Sequence, residues 1–451
     1  VALERQLGFP TAVLVVIASM IGTGIFITTG TVLQMTQDAL IILILWVIGG
    51  IVALTGTLCY AELATMWPDV GGEYIYLRNT FGFLPSFLTG WISLVVGFTA
   101  SVAISSISLV KYLHQFSQNV AADSLLTHVF AGTWTQKIVA ASIIFFFGSV
   151  HIIGVRTGSR IQNVLTVLKL LIVVALIGFG LHMAEWAAAG RLTATYPVGE
   201  GSSPGLPLIG LALLIIMFSY SGWNGASYIG GEISDPDRNL PRALFFGTLI
   251  TMAIYIGLNV VFLLSAPGTE LMGRDAVGAI ATRSLFGPLV SNFFTLGISL
   301  ILLSSVSVQM MIGPRVYYAM ARDRMIFQNL AHENSRFNTP AVAISVQMVL
   351  AIFYVFVGTA QTLMEYMGFA LSIFPLLTVI GLIYLRIKRP EISRPFRVPL
   401  YPVVPLIYIL LTASMMVAGF LAWTKTAWFA ILVTLAGIPV FYLWRRFAKK
   451  L

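Results

Sequence analysis

The sequence predicts an all-α integral membrane protein of twelve transmembrane helices, arranged as a five-plus-five inverted repeat with discontinuous helices 1 and 6. Three observations carry that prediction. Hydrophobic residues make up 58% of the 451 residues and charged residues 10%, where a soluble chain carries ~25% charged residues; the mean hydropathy is +0.92. Apolar stretches long enough to span a bilayer, which takes ~20 residues, recur along the whole chain with short connections between them. Two of these stretches, one in each half, are interrupted in the middle by glycine and small polar residues.

The expected spans are 9–34, 39–66, 82–113, 136–152, 162–183, 206–231, 241–265, 288–318, 340–358, 363–386, 401–422 and 426–445. The first is broken at Gly22-Thr23-Gly24 and the sixth at Ser219-Tyr220-Ser221-Gly222. A lipid-facing helix cannot give up its backbone hydrogen bonds, because hydrocarbon offers no replacement; irregular backbone at that depth belongs where protein or a water-filled cavity surrounds it. Breaks at corresponding places in two halves point to a transporter's binding site at the membrane midplane. They divide a single transmembrane domain, 1–451, into a first repeat over 9–183, a second over 206–386, and two further helices over 401–445. Five helices per repeat is an odd number, so the second repeat enters the membrane from the opposite side. The longest connections, near 114–135, 184–205, 266–287 and 322–339, are too short to hold a core of their own.

The formal net charge of +9 reflects the distribution of basic residues about the membrane, not a nucleic-acid partner, and none is expected. Arg5, Arg78, Arg156, Arg238, Arg315, Arg322, Arg386, Arg394 and Arg445 stand among the many basic residues on one side. Only Lys111, Lys137, Arg191, Arg274, Arg283 and Lys425 fall on the other. The positive-inside rule then puts both termini in the cytoplasm of a cell's inner (plasma) membrane. No positive n-region and small-residue cleavage site precede the first span, so no cleavable signal peptide is expected. The one cysteine, Cys59, lies inside an apolar span and can form neither an intrachain disulfide nor a thiolate metal cluster.

The motifs at the helix ends carry a family resemblance over nearly the whole chain. Gly22-Thr23-Gly24-Ile25-Phe26 resembles the first-helix signature of the amino acid–polyamine–organocation (APC) transporters. Tyr60-Ala61-Glu62-Leu63, followed by Pro68, Gly71-Gly72, Tyr74 and Tyr76, is similar to that superfamily's connection between helices 2 and 3. Phe218-Ser-Tyr-Ser-Gly-Trp-Asn224 with Glu232, Pro236 and Arg238-Asn-Leu-Pro241 looks like the L-type amino acid transporter (LAT) branch. Arg394-Pro-Phe-Arg-Val-Pro399, after Arg389-Pro390-Glu391, matches the loop between helices 10 and 11 of the same branch. The resemblance implies a LeuT-like fold and amino acid transport by alternating access, with helices 1, 2, 6 and 7 moving against 3, 4, 8 and 9.

The residues at the breaks suit that substrate. An amino acid presents a carboxylate and an ammonium on one carbon. The amides of Thr23, Gly24 and Ile25 open the second half of helix 1, where the positive dipole end favours a carboxylate. Carbonyls freed near Ser19, Met20 and Ile21, and near Phe218 and Ser219, can accept from the ammonium. The competing account of Gly22 and Gly24 is close helix packing, as in other small-residue motifs. By resemblance, Phe218 closes over the substrate from outside. Trp223 is a second gate candidate, although most aromatic residues in membrane helices only pack. Asn224 can bond across helices or face the substrate's side chain. Ser221 stands where some relatives have glycine, which narrows the pocket and favours small side chains.

Lys169 sits several residues inside helix 5, where an ionisable group is costly and usually functional. The resemblance implies that its ammonium takes the place of sodium, bridging the unwound part of helix 1 and helix 8, where Ser299, Ser304, Ser305 and Ser307 interrupt an apolar run. Ser304 and Ser305 are the candidate partners. A buried amine can also carry a coupled proton, and the bland alternative is a lysine that snorkels to the cytoplasmic face. Glu62 and Glu232 are expected to anchor helix ends, and Asp235, Asp237, Arg238 and Arg242 to form an inner salt-bridge cluster, gating or merely solvated. The five histidines read as interfacial residues without metal-ligand spacing, so no metal or cofactor is expected.

The resemblance implies a sodium-independent exchanger, since the branch is mostly one of exchangers with Lys169 in the place of sodium, and small neutral L-amino acids are the expected substrates because no acidic residue stands near the middle of helices 1, 3, 6 or 8. Proton symport, uniport, and transport of cationic amino acids or polyamines are the alternatives within transport. An enzyme lacks a nucleophile–base pair, metal set or phosphate loop, and a channel lacks charge rings or a re-entrant filter. Animal relatives pair with a glycoprotein through a cysteine outside helix 3. The loop near 114–135 has none, so no covalent heavy-chain partner is expected, only the lipid bilayer and the amino acid. This points to a self-sufficient prokaryotic transporter.

Overall fold

The computed structural model describes residues 4–120, 127, 130–184, 186–196, 205–274, 276–334, 337–358, 360–422 and 424–448. It is helical throughout, and the described residues contain no strand beyond three isolated bridges, Leu7 with Ile233, Asp38 with Thr195 and Val70 with Ile229. In chain order the helices of nine residues or more are α1 (Phe9–Met20), α2 (Gly24–Thr36), α3 (Ala39–Met66), α4 (Glu73–Phe81), α5 (Phe83–Ile92) and α6 (Phe98–Val120). There follow α7 (Thr133–Ile153), α8 (Val155–Met183), α9 (Leu206–Tyr220), α10 (Pro236–Ser265) and α11 (Val277–Arg322). The last are α12 (Ala341–Val357), α13 (Ala360–Lys388), α14 (Val403–Ala422) and α15 (Thr424–Ala448). Among the described residues nine helices are long and apolar enough to cross a membrane. The pair α1–α2, bent by 41°, makes a tenth span if counted as one, and two shorter apolar helices lie at Pro207–Tyr220 and Ala341–Val357.

The surface is inverted relative to a soluble protein. On α8 the buried residues include Gln162, Thr166 and Lys169, whereas Val164, Leu171 and Val174 face outward, Leu171 at 61% exposure. On α7, Phe145 and Phe146 stand out in the same way. Apolar-out, polar-in patterning satisfies a hydrocarbon solvent and leaves the polar groups to find one another inside.

Both expected breaks occur, each displaced by a residue or two. α1 ends at Met20, Ile21 turns extended (ψ 99°), and Gly24 already opens α2. In the second half, α9 runs on through Tyr220; Ser221 is extended and Gly222 takes φ +94°. Beyond it the chain does not resume an α-helix. It forms tight 3-10 turns over Gly225–Tyr228 and Gly230–Glu232, because its backbone is drawn into other pairings: Val70 bridges Ile229, and the Gly71 amide donates to the Tyr228 carbonyl. The two breaks press together. A Cβ on Gly24 would lie 2.9 Å from Ser219 Cα, and one on Gly222 2.6 Å from the Ser19 carbonyl oxygen. Glycine is required at both for this contact, and at Gly222 for the positive φ as well.

Two other helices are longer than the sequence suggested. The third span runs from Phe83 to Val120, with a π-helical turn over Ser93–Gly97. The eighth lies within α11, whose non-helical residue Gly287 (φ +78°) marks a kink just before Pro288, where the span was expected to begin. The expected inner salt-bridge cluster does not form: among the described residues Asp235, Asp237, Arg238 and Arg242 make no ion pair. Asp235 and Asp237 sit at the first turn of α10, where the Asp235 carbonyl accepts from the Arg238 and Asn239 amides, and Arg242 stacks over the Phe9 ring. Ion pairs instead join distant segments, Arg78 with Asp323 at 2.5 Å and Arg322 with Asp69 at 2.9 Å.

Candidate functional site

The paired breaks enclose a cavity of about 60 Å³ lined by Ser19, Met20, Gly22, Thr23, Gly24, Phe218, Ser219 and Ser221, with Ser101, Ile104 and Ser105 from α6 and Ser305 and Gln309 from α11. Seven of the expected binding residues thus meet in one wall-to-wall space. Ile21 and Ile25 are buried beside it but do not line it. The Ser19 hydroxyl donates to Val15 of its own helix at 2.7 Å, that of Ser221 to the Phe218 carbonyl at 2.7 Å, and Ser219 Oγ meets Thr28 Oγ1 at 2.9 Å. The polar surface presented to a ligand is therefore largely backbone and committed hydroxyls.

Lys169 reaches this wall from α8. Its fully buried ammonium donates to the carbonyl oxygens of Ile21 at 2.6 Å and Ala18 at 3.2 Å, and to Ser305 Oγ at 3.2 Å. The two carbonyls belong to the last turn of α1 and the residue after it, where helix geometry leaves acceptors unpaired and the dipole favours a cation. Lys169 does not snorkel. Of the other serines on α11, Ser304 turns away to Gln162 at 3.2 Å and Thr166 at 3.3 Å, Ser299 bonds to Thr295 of its own helix, and Ser307 meets His151 at 3.0 Å. His151 is buried, since the missing side chain at Gly158 leaves it room.

Phe218 lines the cavity and packs on Ala100 and Ile104. Trp223 and Asn224 line an adjoining lobe. The Trp223 ring meets Tyr60 edge-on at 4.7 Å and Tyr408 at 5.9 Å, so it is wedged into an aromatic cluster. Asn224 donates to Glu73 Oε1 at 2.6 Å and to the Tyr228 hydroxyl at 3.1 Å.

Three residues at this site escaped the sequence reading. Tyr255, on α10, places one hydroxyl 2.6 Å from the Met20 carbonyl and 2.8 Å from that of Ser219, tying the two breaks together. Nothing in an apolar span distinguishes such a tyrosine from a packing one. Gln309, an amide in the apolar run of α11, lines both lobes. Glu73 stands inside the Gly71-Gly72 motif, in a segment that reads as a connection outside the membrane, yet it is buried in the lobe wall. The absence of acid near the middle of the relevant spans is therefore not an absence of acid from the site. The expected anchors hold: Glu62 pairs with Arg386 and Arg394, and Glu232 with Arg315 at 2.7 Å. The side chain of Glu365 lies outside the described residues.

The amino acid permease family matches residues 7–441. The chain is 31% identical over 445 residues to the serine/threonine exchanger SteT of Bacillus subtilis (strain 168), covering 98% of this chain and 97% of that one. It is 31% identical over 452 residues to the b(0,+)-type amino acid transporter 1 of Mus musculus, covering 98% and 88%. It is 28% identical over 443 residues to the large neutral amino acids transporter small subunit 2 of the mouse, covering 98% and 81%.

Proposed function

The chain belongs to the amino acid permease family, in the LAT-like branch, and on that premise we propose that it is a sodium-independent exchanger of small neutral L-amino acids working by alternating access. The observation that carries the reading is the meeting of the two breaks around one cavity, with Lys169 holding the freed carbonyls of the first. The start of α2 at Gly24, with Thr23 beside it, supplies the positive helix end for the substrate carboxylate. The Phe218 and Ser219 carbonyl region supplies acceptors for its ammonium, and Phe218 closes over it. The Lys169 ammonium occupies the place of a sodium ion, so no inward sodium gradient is needed. Ser221 narrows the space left for a side chain, which favours alanine and serine. The likeness to a serine/threonine exchanger supports both the exchange mode and the small substrate.

The architecture proposed with it is twelve spans: the nine long helices, the bent pair α1–α2, and the two shorter apolar helices α9 and α12. The breaks in the first and sixth support a five-plus-five inverted repeat, and the basic residues put both termini in the cytoplasm. Cys59, the one cysteine of the sequence, is buried in α3, which supports a chain that works without a covalently linked partner.

The test is counterflow in liposomes. Purified protein is reconstituted in sodium-free buffer, and uptake of radiolabelled L-alanine is followed with and without L-alanine inside. Uptake that requires internal substrate is the expected result. Uptake into empty vesicles driven by an inward proton gradient makes the protein a symporter, and no uptake in either case removes the small neutral substrate.

A further inference from the structure

The end of α15 is clasped to the loop that follows α11. That loop turns back at Arg324, which takes φ +59° and whose amide donates to the Ala321 carbonyl. The Arg324 carbonyl in turn accepts from the Trp444 indole N–H at 3.0 Å. Three residues on, the Phe327 ring meets that of Trp444 edge-on, with centroids 4.6 Å apart. The clasp brings Arg324 next to the turn of α15 that carries Arg445 and Arg446, although 120 residues separate the bonded pair.

Packing explains neither the charge of this corner nor its exposed rings. Arg324, Arg445 and Arg446 are exposed, and none forms an ion pair among the described residues. Arg445 lies over the Phe441 ring, which leaves its charge uncancelled. The acids that flank the loop are engaged elsewhere, Asp323 by Arg78 and Glu333 by the Tyr318 hydroxyl. No acidic residue follows Glu391 in the sequence, and beyond α15 the chain adds Lys449 and Lys450. Phe327 belongs to a loop outside the expected spans and is nevertheless 67% exposed; Tyr442 and Leu443, one turn before the arginines, are exposed as well. Exposed aromatic rings beside unpaired cations match the layer where acyl chains give way to headgroups. Basic residues clustered at the end of a membrane helix attract anionic lipid.

We propose that this corner is a binding site for an anionic phospholipid of the membrane face at which α15 ends. The lipid phosphate sits between Arg324 and the Arg445–Arg446 pair, an acyl chain lies along Tyr442 and Leu443, and Phe327 enters the headgroup layer beside it. A bound lipid thus bridges the same two segments that the Trp444 bond joins. The proposal needs the helices to cross a membrane; it does not need the exchange activity. The competing account is a basic helix end that is merely solvated.

The test reads Trp444 fluorescence in phosphatidylcholine proteoliposomes doped with brominated phosphatidylglycerol or brominated phosphatidylcholine. Bromine quenches nearby indoles, and Trp444→Phe supplies the signal of the remaining tryptophans for subtraction. Brominated phosphatidylglycerol is expected to half-quench Trp444 at a mole fraction roughly tenfold lower than brominated phosphatidylcholine. The Arg324→Gln, Arg445→Gln, Arg446→Gln triple variant is expected to bring that ratio close to one. Wild-type protein in about 1 M salt, where the Debye length is ~3 Å, should lose most of the preference too, and this arm decides if the variant does not fold. Equal quenching by the two lipids overturns the site, as does a preference that the triple variant, or high salt in its place, leaves unchanged. Loss of alanine counterflow is a separate result: it removes the exchange reading and leaves the quenching ratio to stand by itself.

Discussion

The Lys169 ammonium lies 2.6 Å from the carbonyl oxygen of Ile21, the residue at which the first helix stops being a helix. One buried side chain from α8 thereby closes the acceptor set that the break creates. Replacing Lys169 with methionine removes the donor: the Ile21 carbonyl keeps only the Ser305 hydroxyl at 3.2 Å, and the Ala18 carbonyl loses the lysine, at a cost of about 1–3 kcal/mol for an unsatisfied buried group. We expect alanine exchange to fall to background and the melting temperature in detergent to drop. A Lys169→Met protein that exchanges alanine at the wild-type rate in sodium-free buffer would sink the role assigned to this lysine.

Tyr255 has one hydroxyl proton for two carbonyls, those of Met20 and Ser219. Tyr255→Phe keeps the ring packed against Trp46 and Tyr220 and deletes only the tie. The loss is on the order of 1 kcal/mol of net hydrogen bonding, felt where the substrate binds. The expected outcome is a KM for alanine raised roughly five- to tenfold with a smaller change in maximal rate. A change in maximal rate alone, at constant KM, argues that the hydroxyl serves motion and not binding.

Close contact of the breaks makes two glycines irreplaceable and a third indifferent. Gly222→Ala meets both a positive φ and the Ser19 carbonyl, and Gly24→Ala meets the Ser219 backbone. Both are expected to abolish exchange. Gly178, inside α8, has open space where its Cβ would be, so Gly178→Ala is expected to raise stability by up to about 1 kcal/mol through helix propensity. Thermal melts and counterflow on the three variants check the ordering. Exchange surviving in Gly222→Ala means that the breaks separate more easily than their contact suggests.

The Arg315–Glu232 pair is buried on both sides, and the arginine also donates to the Met311 carbonyl at 2.5 Å. Breaking one half of such a pair leaves an uncompensated charge and costs about 3–5 kcal/mol. Arg315→Met alone should therefore destabilise strongly, and the double variant with Glu232→Gln should recover much of the loss. The exposed pair Arg322–Asp69 should contribute about 0–1 kcal/mol. A thermal-shift double-mutant cycle on both pairs measures the difference. Additive losses at Arg315 and Glu232 show that the two act independently.

The sequence by itself determined the class, the approximate spans, the two broken helices and Lys169 as the ionisable residue of interest. Each of these is written in a local pattern: apolar length, glycine inside an apolar run, one charge where charge is expensive. Only the tertiary structure decided which polar groups meet. Ser305 and not Ser304 reaches Lys169 because the two point to different sides of one helix, and a run of serines carries no mark of which faces the break. Glu73 reads as part of a solvated connection. It becomes a buried acid only because the turn at Tyr228 folds back onto the Gly71 backbone and carries Asn224 to it. Tyr255 is one tyrosine among sixteen until α10 packs across both breaks. A bilayer imposes its rule residue by residue along the chain, so span and break are legible there. Partners of the buried polar groups come from separate segments, Lys169 and Ile21 lying 148 residues apart, and only packing brings them together.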